Sequence, residues 1–331
     1  MKVSGRKTGS ALSHAPDNWH AVDWRRVERN VRGMQIRIAK ATRESNWRRV
    51  KALQRMLTRT LSAKLYAVRR VTQNQGARTA GVDRELWDSP ESRWEAVGRL
   101  KRRGYRPLPL RRVFIPKANG TERPLGIPTM RDRAMQALYL LALEPVSEST
   151  SDPNSYGFRR NRSTADAKSQ IFVCTSKKAS AQWILEADIK GCFDHINHDW
   201  LAQHVLMDVE ILRKWLKAGL IYKGQLQATE AGTPQGGIIS PTLANVTLDG
   251  LEPELLKHLR ARYGVVKASK LKVNVVRYAD DFVITGNSKE LLEDEVKPWV
   301  EAFLDVRGLR LSEEKRRRKR GSLTLMMAST S

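Results

Sequence analysis

The stretch that decides the fold is residues 273–285, VNVVRYADDFVIT. It contains two apolar runs, Val275-Val276 and Phe282-Val283-Ile284, on either side of the polar segment Tyr278-Ala279-Asp280-Asp281. Two short runs of β-forming residues joined by a few polar residues predict a β-hairpin with the aspartates at its turn. Carboxylates placed inside apolar strands are costly unless a partner neutralises them. The hairpin is therefore the first candidate for a site with chemistry.

A further carboxylate ends another apolar stretch. Residues 183–189, WILEADI, predict a buried strand in which Asp188 is the penultimate residue. A lone buried aspartate is more often a cap or an ion-pair partner, but three acids in two core strands are harder to satisfy that way. At a hairpin turn Asp280, Asp281 or both can face Asp188 across a neighbouring strand. Divalent metal is the simplest partner, and two Mg²⁺ ions roughly 3.5–4 Å apart stabilise the entering and leaving oxygens in phosphoryl transfer.

The rest of the chain alternates strands with helices and shows no internal repeat. Residues 111–116 and 121–128 predict a hairpin with its turn at 117–120. Helices are predicted over 130–146, ending near Pro145, and over 198–218 and 290–304. One amphipathic helix is predicted through a further set of apolar positions: Val50, Leu53, Leu57, Leu61, Leu65 and Val68. This order of elements predicts an α+β or α/β core.

Positive charge is concentrated at the front of the chain. The 331 residues include 60 Lys and Arg against 35 Asp and Glu, a net charge of +25. Residues 1–120 hold 29 basic and 9 acidic side chains, net +20, whereas residues 121–315 are neutral and residues 316–331 carry +5. A basic segment favours a polyanionic partner, because phosphate neutralisation releases counterions. Solubility alone is the alternative explanation.

Several arginines of the front segment are predicted to contact RNA because few acids lie within helical reach of them. They are Arg48, Arg49, Arg55, Arg69 and Arg70. A solvated helix face is the alternative interpretation.

Other classes of protein are disfavoured. Cys174 and Cys192 are too few for a disulfide framework or a four-cysteine zinc site. The N-terminus lacks the apolar core of a signal peptide, and no run of 18 apolar residues is present. We therefore expect a protein without a secretion signal or membrane span, located in the cytoplasm of a bacterium or in an organelle.

Six blocks of the sequence resemble, in the same order, group II intron-encoded reverse transcriptase/maturases. Residues 278–281 resemble the active-site hairpin of reverse transcriptases, and residues 187–198, ADIKGCFDHINH, resemble their other metal-binding segment. The other blocks are residues 24–83, 112–128 (RVFIPKANGTERPLGIP), 156–167 (YGFRRNRSTADA) and 232–252 (GTPQGGIISPTLANVTLDGLE). The resemblance implies an α+β right-hand polymerase with fingers and palm behind a basic helical N-terminal extension.

The resemblance also implies roles for single residues. The three aspartates, Asp188, Asp280 and Asp281, would bind two Mg²⁺ ions, with the Ile189 carbonyl completing one site. Four further residues would hold the nucleotide: Phe193 under the sugar to favour deoxynucleotides, Gln235 on the incoming nucleotide, and Lys117 with Arg123 on the triphosphate. The alternatives are a core phenylalanine, a turn residue and plain surface charges. Arg159 and Asn161 would contact template phosphates unless they belong to a solvated loop, and His195 and His198 are interpreted as structural.

The family resemblance implies an RNA-directed DNA polymerase acting on group II intron RNA. Its substrates would be dNTPs and an RNA template with a DNA primer, and full-length relatives are expected to dimerise. The alternatives are an RNA-binding splicing cofactor without polymerisation and an inactive fragment.

The resemblance divides the chain into four segments. They are a loose arm (1–18), a basic helical extension (19–104), fingers and palm (105–315) and a basic tail (316–331). The sixteen-residue tail RRRKRGSLTLMMASTS can be encoded by a DNA sequence that, read from its third nucleotide, gives Glu-Glu-Lys-Thr-Arg-Ile-Thr-His-Ile-Asp-Asp-Gly-Phe-Asp-Phe, which resembles the family's next segment. We therefore expect a frame shift that removes the thumb and impairs polymerisation. An authentic tail for binding nucleic acid is the alternative.

Overall fold

The computed structural model describes residues 18–116, 120, 122–233 and 236–312, and the backbone of 317–319. The helices are α1 Trp24–Arg43, α2 Trp47–Leu57, α3 Leu61–Thr72, α4 Pro90–Arg99, α5 Met130–Thr150, α6 Thr164–Thr175, α7 Cys192–His195, α8 His198–His204, α9 Val209–Leu216, α10 Ser240–Leu248, α11 Leu251–Tyr263, α12 Val265–Lys270 and α13 Lys297–Asp305. The strands are β1 Leu110–Pro116, β2 Glu122–Ile127, β3 Trp183–Asp188, β4 Leu220–Tyr222, β5 Gln225–Gln227, β6 Asn274–Tyr278, β7 Asp281–Gly286 and β8 Arg317–Lys319. The mixed α+β class predicted from the sequence is confirmed.

The described strands form two four-stranded sheets. The first sheet has the order β2-β1-β4-β5, in which β1 and β2 are the predicted antiparallel hairpin and β4 runs parallel to β1. The second sheet has the order β6-β7-β3-β8 and is antiparallel throughout. The hairpin predicted within residues 273–285 and the buried strand that ends at Asp188 are therefore confirmed as neighbours in one sheet. The backbone of Arg317–Lys319 pairs with the start of β3. The rest of the predicted tail and residues 1–17 of the predicted arm lie outside the described residues.

The single helix predicted through Val50 and Val68 is wrong, because the chain breaks between α2 and α3. Thr60 caps α3 by accepting a hydrogen bond from the Ala63 amide at 3.2 Å, which gives the new helix a favourable start. Both helices still bury most of the predicted stripe, since Val50 and Val68 are fully buried, whereas Leu61 at the start of α3 is exposed. The periodicity therefore identified the buried face and missed the break.

Helix α5 does not end near Pro145 as predicted but continues to Thr150. A proline inside a helix leaves the carbonyl four residues earlier without its usual donor. Here the Gln35 side chain of α1 donates to that carbonyl, on Leu141, at 2.9 Å. A long-range contact therefore offsets the local cost of the proline and lets the helix continue.

Two other helical predictions need adjustment. The predicted helix 198–218 is divided into α8 and α9, because the Asp208 carboxylate accepts from the Ile211 amide at 3.3 Å and caps α9. The predicted helix 290–304 begins as a π-helical turn, Leu291–Val296, and continues as α13. In the part of the chain that the structure describes, no helix is long and apolar enough to cross a bilayer. Cys174 and Cys192 are free thiols.

Candidate active site

The three predicted carboxylates lie at one end of the second sheet. Asp188 and Asp281 are directly opposite each other at the ends of the antiparallel strands β3 and β7. Such pairs project on the same face with Cβ atoms roughly 4.5–5.5 Å apart. Asp280 precedes Asp281 in the turn between β6 and β7, where Tyr278 pairs with Asp281. The fold therefore brings together acids that are almost a hundred residues apart in sequence.

Negative charge accumulates at this end of the sheet. Burial is the main cause that raises the pKa of Asp280, and the charges of Asp281 and Asp188 raise it further. The guanidinium of Arg123, from β2 of the first sheet, acts in the opposite direction. Burial also raises the pKa of the Cys192 thiol to about 12, with Asp280 and Asp188 contributing, so Cys192 stays protonated at neutral pH. Asp280 is thus electrostatically coupled to the other two acids, and the positive charge of Arg123 partly offsets their effect on it.

Hydrogen bonds of the two residues that flank Ile189 fix the direction of its carbonyl. The Asp188 carbonyl accepts from the Ser312 amide at 2.8 Å, and the Lys190 amide donates to the Arg310 carbonyl at 3.0 Å. Because backbone groups alternate in direction along a strand, the Ile189 carbonyl points to the opposite side of β3, where β7 lies. Its role as a metal ligand remains a prediction.

The donor set at this end of the sheet suits magnesium. Hard divalent cations prefer carboxylate and carbonyl oxygens, and the three aspartates with the Ile189 carbonyl offer only such atoms. Among the residues that the structure describes, no three His, Cys, Asp or Glu side chains converge closely enough to hold an ion as they stand. Magnesium binding at these residues therefore stays a prediction.

The turn that carries the acids is held by a neighbouring segment. Ala279 has φ of +58°, which non-glycine residues rarely adopt. The Arg277 amide donates to the Asn154 carbonyl and the Tyr156 amide donates to the Arg277 carbonyl, both at 2.9 Å. A Cβ atom on Gly157 would lie 2.2 Å from the Ala279 nitrogen. Only glycine therefore allows this segment to pack so closely against the turn.

A buried arginine that the sequence analysis missed ties this region together. The guanidinium of Arg277 donates to the Asn245 side-chain oxygen at 3.0 Å, to the Ala279 carbonyl at 3.2 Å and to the Asp249 carboxylate at 2.7 Å. The amide of Asn245 in turn donates to the Gly157 carbonyl at 2.9 Å. Arg277 therefore holds the turn and the segment packed against it. The available signal was a lone cation inside an apolar strand, directly before the acidic turn.

Replacing Gly157 with alanine is expected to displace the turn that contains Asp280, because the new methyl group would overlap the Ala279 backbone. Overpacking of this kind costs typically about 1–3 kcal/mol. We expect a lower melting temperature and at least about a tenfold loss of any polymerase activity. The matched control is Gly33→Ala in α1, where an added Cβ meets nothing within 4 Å. Equal melting temperatures for the two variants would contradict the proposed close packing.

Phe193 is partly buried beside the loop that leads to the predicted nucleotide-binding residue Gln235. Its ring lies edge to face with that of Phe158, with centroids 6.0 Å apart, and its carbonyl accepts from the Thr233 amide at 2.6 Å. Gly232, with φ of +84°, approaches so closely that a Cβ would lie 2.5 Å from the Phe193 carbonyl. Phe158 is exposed, and the sequence analysis did not identify its contact with Phe193.

The remaining predicted nucleotide-binding residues are Arg123, Lys117 and Gln235. Arg123 is exposed on β2, and its charge acts on Asp280. Lys117 and Gln235 lie outside the described residues. Gly236 contacts the first sheet, because a Cβ there would lie 2.9 Å from the Gly126 carbonyl. The chain after the predicted Gln235 site thus reaches the strand that carries Arg123.

The prediction that Arg159 contacts template phosphates needs correction. Its side chain is 3% exposed, and its guanidinium donates to the Glu148 carboxylate and to the carbonyls of Asp152 and Ser155. A guanidinium enclosed in this way is committed to internal acceptors and has a structural role. Asn161, by contrast, is exposed in the same loop and stays a candidate.

The predicted RNA-binding arginines of the front segment are not equivalent. Three of them are exposed on α2: Arg48, Arg49 and Arg55. Arg69 of α3 forms an ion pair with Glu28 at 2.9 Å and lies over the Trp24 ring. Its guanidinium therefore already has partners within the protein. Arg70 is half-buried and has one buried nitrogen without a partner among the described residues. The α2 arginines are therefore the better candidates.

Family comparisons agree with this architecture. Residues 115–323 match the family described as reverse transcriptase (RNA-dependent DNA polymerase), and residues 19–100 match the N-terminal domain of reverse transcriptase. The Escherichia coli protein YkfC is 34% identical over 284 residues, which is 73% of each chain. The group II intron-encoded protein LtrA of Lactococcus lactis is 37% identical over 200 residues. That alignment covers 58% of this chain and only 33% of LtrA.

Among solved structures, the chain resembles apo telomerase from Candida tropicalis truncated from its C-terminal domain. The TM-score is 0.47 at 15% identity, over 63% of this chain and 49% of that one. The family match covers well over half of the present sequence, and it includes the β3 strand and the acidic hairpin. The resemblance to group II intron-encoded proteins is therefore confirmed, and the chain belongs to the reverse transcriptase family.

Proposed function

We propose that the chain is the RNA-directed DNA polymerase of a group II intron and that Asp188, Asp280 and Asp281 are its catalytic metal ligands. The observation that carries the proposal is the meeting of these three acids at the end of the second sheet, where burial and then the charges of Asp281 and Asp188 raise the pKa of Asp280. Substrates would be dNTPs and an RNA template with a DNA primer, and the partner would be intron RNA. The place of action would be the bacterial cytoplasm or an organelle.

Magnesium bound at these carboxylates would stabilise the charge that develops on the entering and leaving oxygens. The protein's own residues would position the substrate. Arg123, whose positive charge acts on Asp280, would contact a triphosphate bound near the acids, and charge-assisted contacts of that kind are strong. Phe193, held by Phe158, would lie against the sugar.

The proposal is tested by primer extension with the full chain. A labelled DNA primer is annealed to an RNA template and incubated with Mg²⁺ and each dNTP in turn. We expect addition of the nucleotide complementary to the next template base. A primer that is never extended, or is extended without regard to the template, would count against a polymerase.

Replacing Phe193 with alanine is expected to weaken discrimination against ribonucleotides. A pocket that excludes a 2′-hydroxyl by steric contact gives roughly 10- to 100-fold selectivity for the deoxynucleotide. Alanine is too small to make that contact, so the variant would lose this selectivity. The measurement is the ratio of dNTP to rNTP incorporation in the primer-extension assay. Phe172→Ala, at an exposed phenylalanine of α6, is the matched control and should leave the ratio unchanged. An unchanged ratio in Phe193→Ala would remove Phe193 from the sugar site.

A second candidate function is an RNA-binding splicing cofactor without polymerisation. The exposed arginines of α2 favour it, because they can bind intron RNA without the carboxylate cluster. The test is self-splicing of intron RNA in the presence of the full chain and of Asp280→Asn. Equal stimulation by both proteins, without primer extension by either, would favour this function over the polymerase.

A further inference from the structure

The β1–β2 hairpin, which carries Arg123, joins the rest of the protein beside the first turn of α5. Leu108 lies two residues before β1, and Thr129 lies two residues after β2 and directly before α5. Both residues donate a hydrogen bond to the same carboxylate, that of Asp132. Because one side chain holds both ends of the hairpin, we call Tyr105, Leu108, Thr129 and Asp132 together the hairpin anchor.

The Asp132 side chain is enclosed and fully engaged. Asp132 is 3% exposed, and one of its carboxylate oxygens accepts from the Leu108 amide at 3.1 Å and from the Thr129 hydroxyl at 2.7 Å. The other oxygen accepts from the Tyr105 hydroxyl at 2.6 Å. Hydrogen bonds in low-dielectric surroundings are electrostatically stronger than in water. The carboxylate therefore holds its three donors in fixed positions.

A helix cap alone does not explain this arrangement. An acid at the third position of a helix is often part of a capping box, which satisfies amides at the start of the same helix. Leu108 and Tyr105 instead lie 24 and 27 residues before Asp132, outside α5. Burial raises the pKa of Asp132, and the hydrogen bonds from Tyr105 and Thr129 lower it. The donors therefore stabilise a carboxylate whose burial is otherwise unfavourable.

The hairpin anchor also reaches a third strand of the first sheet. The Tyr105 hydroxyl accepts from the Trp215 indole of α9 at 2.8 Å, and the Tyr105 carbonyl accepts from the Lys214 ammonium at 3.0 Å. The chain after α9 enters β4, which runs parallel to β1. There the Leu110 amide donates to the Gly219 carbonyl at 2.9 Å. Three of the four strands are thus connected to one carboxylate at the start of α5.

Further contacts hold the end of the hairpin in place. Arg133, the residue after Asp132, donates to the Pro128 carbonyl at 3.1 Å and to the Gly76 carbonyl at 2.7 Å. A Cβ atom on Gly81 would lie 2.7 Å from the Thr129 Cα atom. The segment between β2 and α5 is therefore closely packed, and the hairpin cannot move at its base without losing these contacts.

The other end of α5 contacts the network behind the acidic turn. Ser151, directly after α5, donates to the Asp249 carboxylate at 2.9 Å, and Asp249 forms the ion pair with Arg277. The helix has 21 residues and is therefore roughly 30 Å long. One continuous helix thus connects the base of the hairpin that carries Arg123 to the network that holds the turn with Asp280.

We propose that Asp132 is a positioning residue, which fixes the base of the β1–β2 hairpin and thereby places Arg123 for the triphosphate of the incoming nucleotide. Asp132 touches no substrate and acts through Arg123. The inference rests on the proposed function, since it requires a nucleotide bound near the acids. Charge-assisted contacts depend on geometry, and a displacement of about 1 Å is enough to lose most of the benefit of a positioned group.

The test uses variants of the full chain that remove different donors from the same carboxylate. Thr129→Val keeps the size of the side chain and removes the hydroxyl that joins the end of the hairpin to Asp132. Tyr105→Phe, the matched control, removes the other hydroxyl and leaves both ends of the hairpin bound. Asp132→Ala removes all three contacts, and Thr129→Val decides the question if Asp132→Ala does not fold. Urea denaturation measures the stability of each variant.

The first measurement is single-nucleotide primer extension at a series of dNTP concentrations. Thr129→Val should raise KM for the dNTP about fivefold and Asp132→Ala about tenfold or more, with kcat within about threefold, because lost positioning of the triphosphate weakens substrate binding. Tyr105→Phe should change KM less than about twofold. Equal rises in KM for Thr129→Val and Tyr105→Phe, or a fall in kcat at unchanged KM, would overturn the proposal.

A double variant tests whether the anchor acts through Arg123. Arg123→Ala alone should raise KM, and Arg123→Ala/Thr129→Val should raise it no further, because a side chain that is absent cannot be misplaced. Coupled residues give non-additive effects of this kind, whereas independent ones add. A KM for the double variant equal to the product of the two single effects would overturn the proposed route through Arg123.

Hydrogen exchange separates the anchor from the polymerase activity. Peptides from residues 108–127 should exchange faster in Thr129→Val than in the unmodified chain or in Tyr105→Phe, while peptides from α13 stay unchanged in all three. Unchanged exchange in residues 108–127 would overturn the anchor whatever the activity. If the unmodified chain shows no template-dependent extension, the proposed function fails and the role for Arg123 fails with it, whereas faster exchange in the variant would still show that Asp132 holds the hairpin.

Discussion

Replacing Asp280 with asparagine is expected to reduce template-dependent nucleotide incorporation about a thousand-fold. The change removes one negative charge and one strong oxygen ligand from the cluster of Asp188 and Asp281 while keeping the side chain's size. Metal-assisted charge stabilisation contributes several kcal/mol to a transition state, and each 1.36 kcal/mol is about a factor of ten in rate. The measurement is the rate of single-nucleotide primer extension at saturating dNTP.

The control for this prediction is Asp88→Asn, at an exposed aspartate before α4. It makes the same chemical change away from the second sheet and should leave the rate unchanged. Because Asp280 is half-buried and its pKa is raised by burial and by the neighbouring acids, its neutral replacement should not destabilise the fold. A rate in Asp280→Asn within about threefold of the unmodified chain would remove Asp280 from the catalytic group.

Replacing Arg277 with methionine is expected to destabilise the protein by about 3–5 kcal/mol, the usual cost of breaking a buried ion pair from one side. Arg277 is 2% exposed, and its removal leaves the Asp249 carboxylate buried without its cation. The Asn245 and Ala279 oxygens would each lose a donor as well. The measurement is the free energy of unfolding from urea denaturation.

Two comparisons make the Arg277 prediction specific. Arg213→Met, at an exposed arginine of α9, makes the same chemical change on the surface and should cost no more than about 0.5 kcal/mol. The double variant Arg277→Met/Asp249→Asn should recover part of the loss, because the buried carboxylate would no longer carry a charge. Similar unfolding free energies for Arg277→Met and Arg213→Met would contradict the buried network.

The acidic site was predictable from sequence because its signal is local. Asp280 and Asp281 interrupt an apolar hairpin pattern, and Asp188 ends an apolar strand, so both segments can be identified without knowing their partners. The pairing of Asp188 with Asp281 follows from their positions at equivalent strand ends, which the sheet register confirms. The catalytic role of these residues stays a prediction until activity is measured.

What the sequence analysis missed depends on contacts between distant segments. The network of Arg277 requires Asn245 and Asp249 from α10 and the residue that follows it, and nothing in the local pattern pairs them. The continuation of α5 past Pro145 depends on Gln35, which is more than a hundred residues away. Burial of Arg159 likewise requires Glu148 from the end of α5, so its sequence context suggested an exposed loop. Tertiary contacts override local propensity in each case.

The measurement that tests the central claim most directly is the Mg²⁺ dependence of single-nucleotide incorporation on an RNA template. If the carboxylates at the end of the second sheet hold the catalytic metal, the rate of the unmodified chain should rise with Mg²⁺, saturate and vanish with a chelator. The same titration with Asp188→Asn and with Asp280→Asn should stay near the background rate. Incorporation that persists in the chelator, or that either variant carries out as fast as the unmodified chain, would contradict the account.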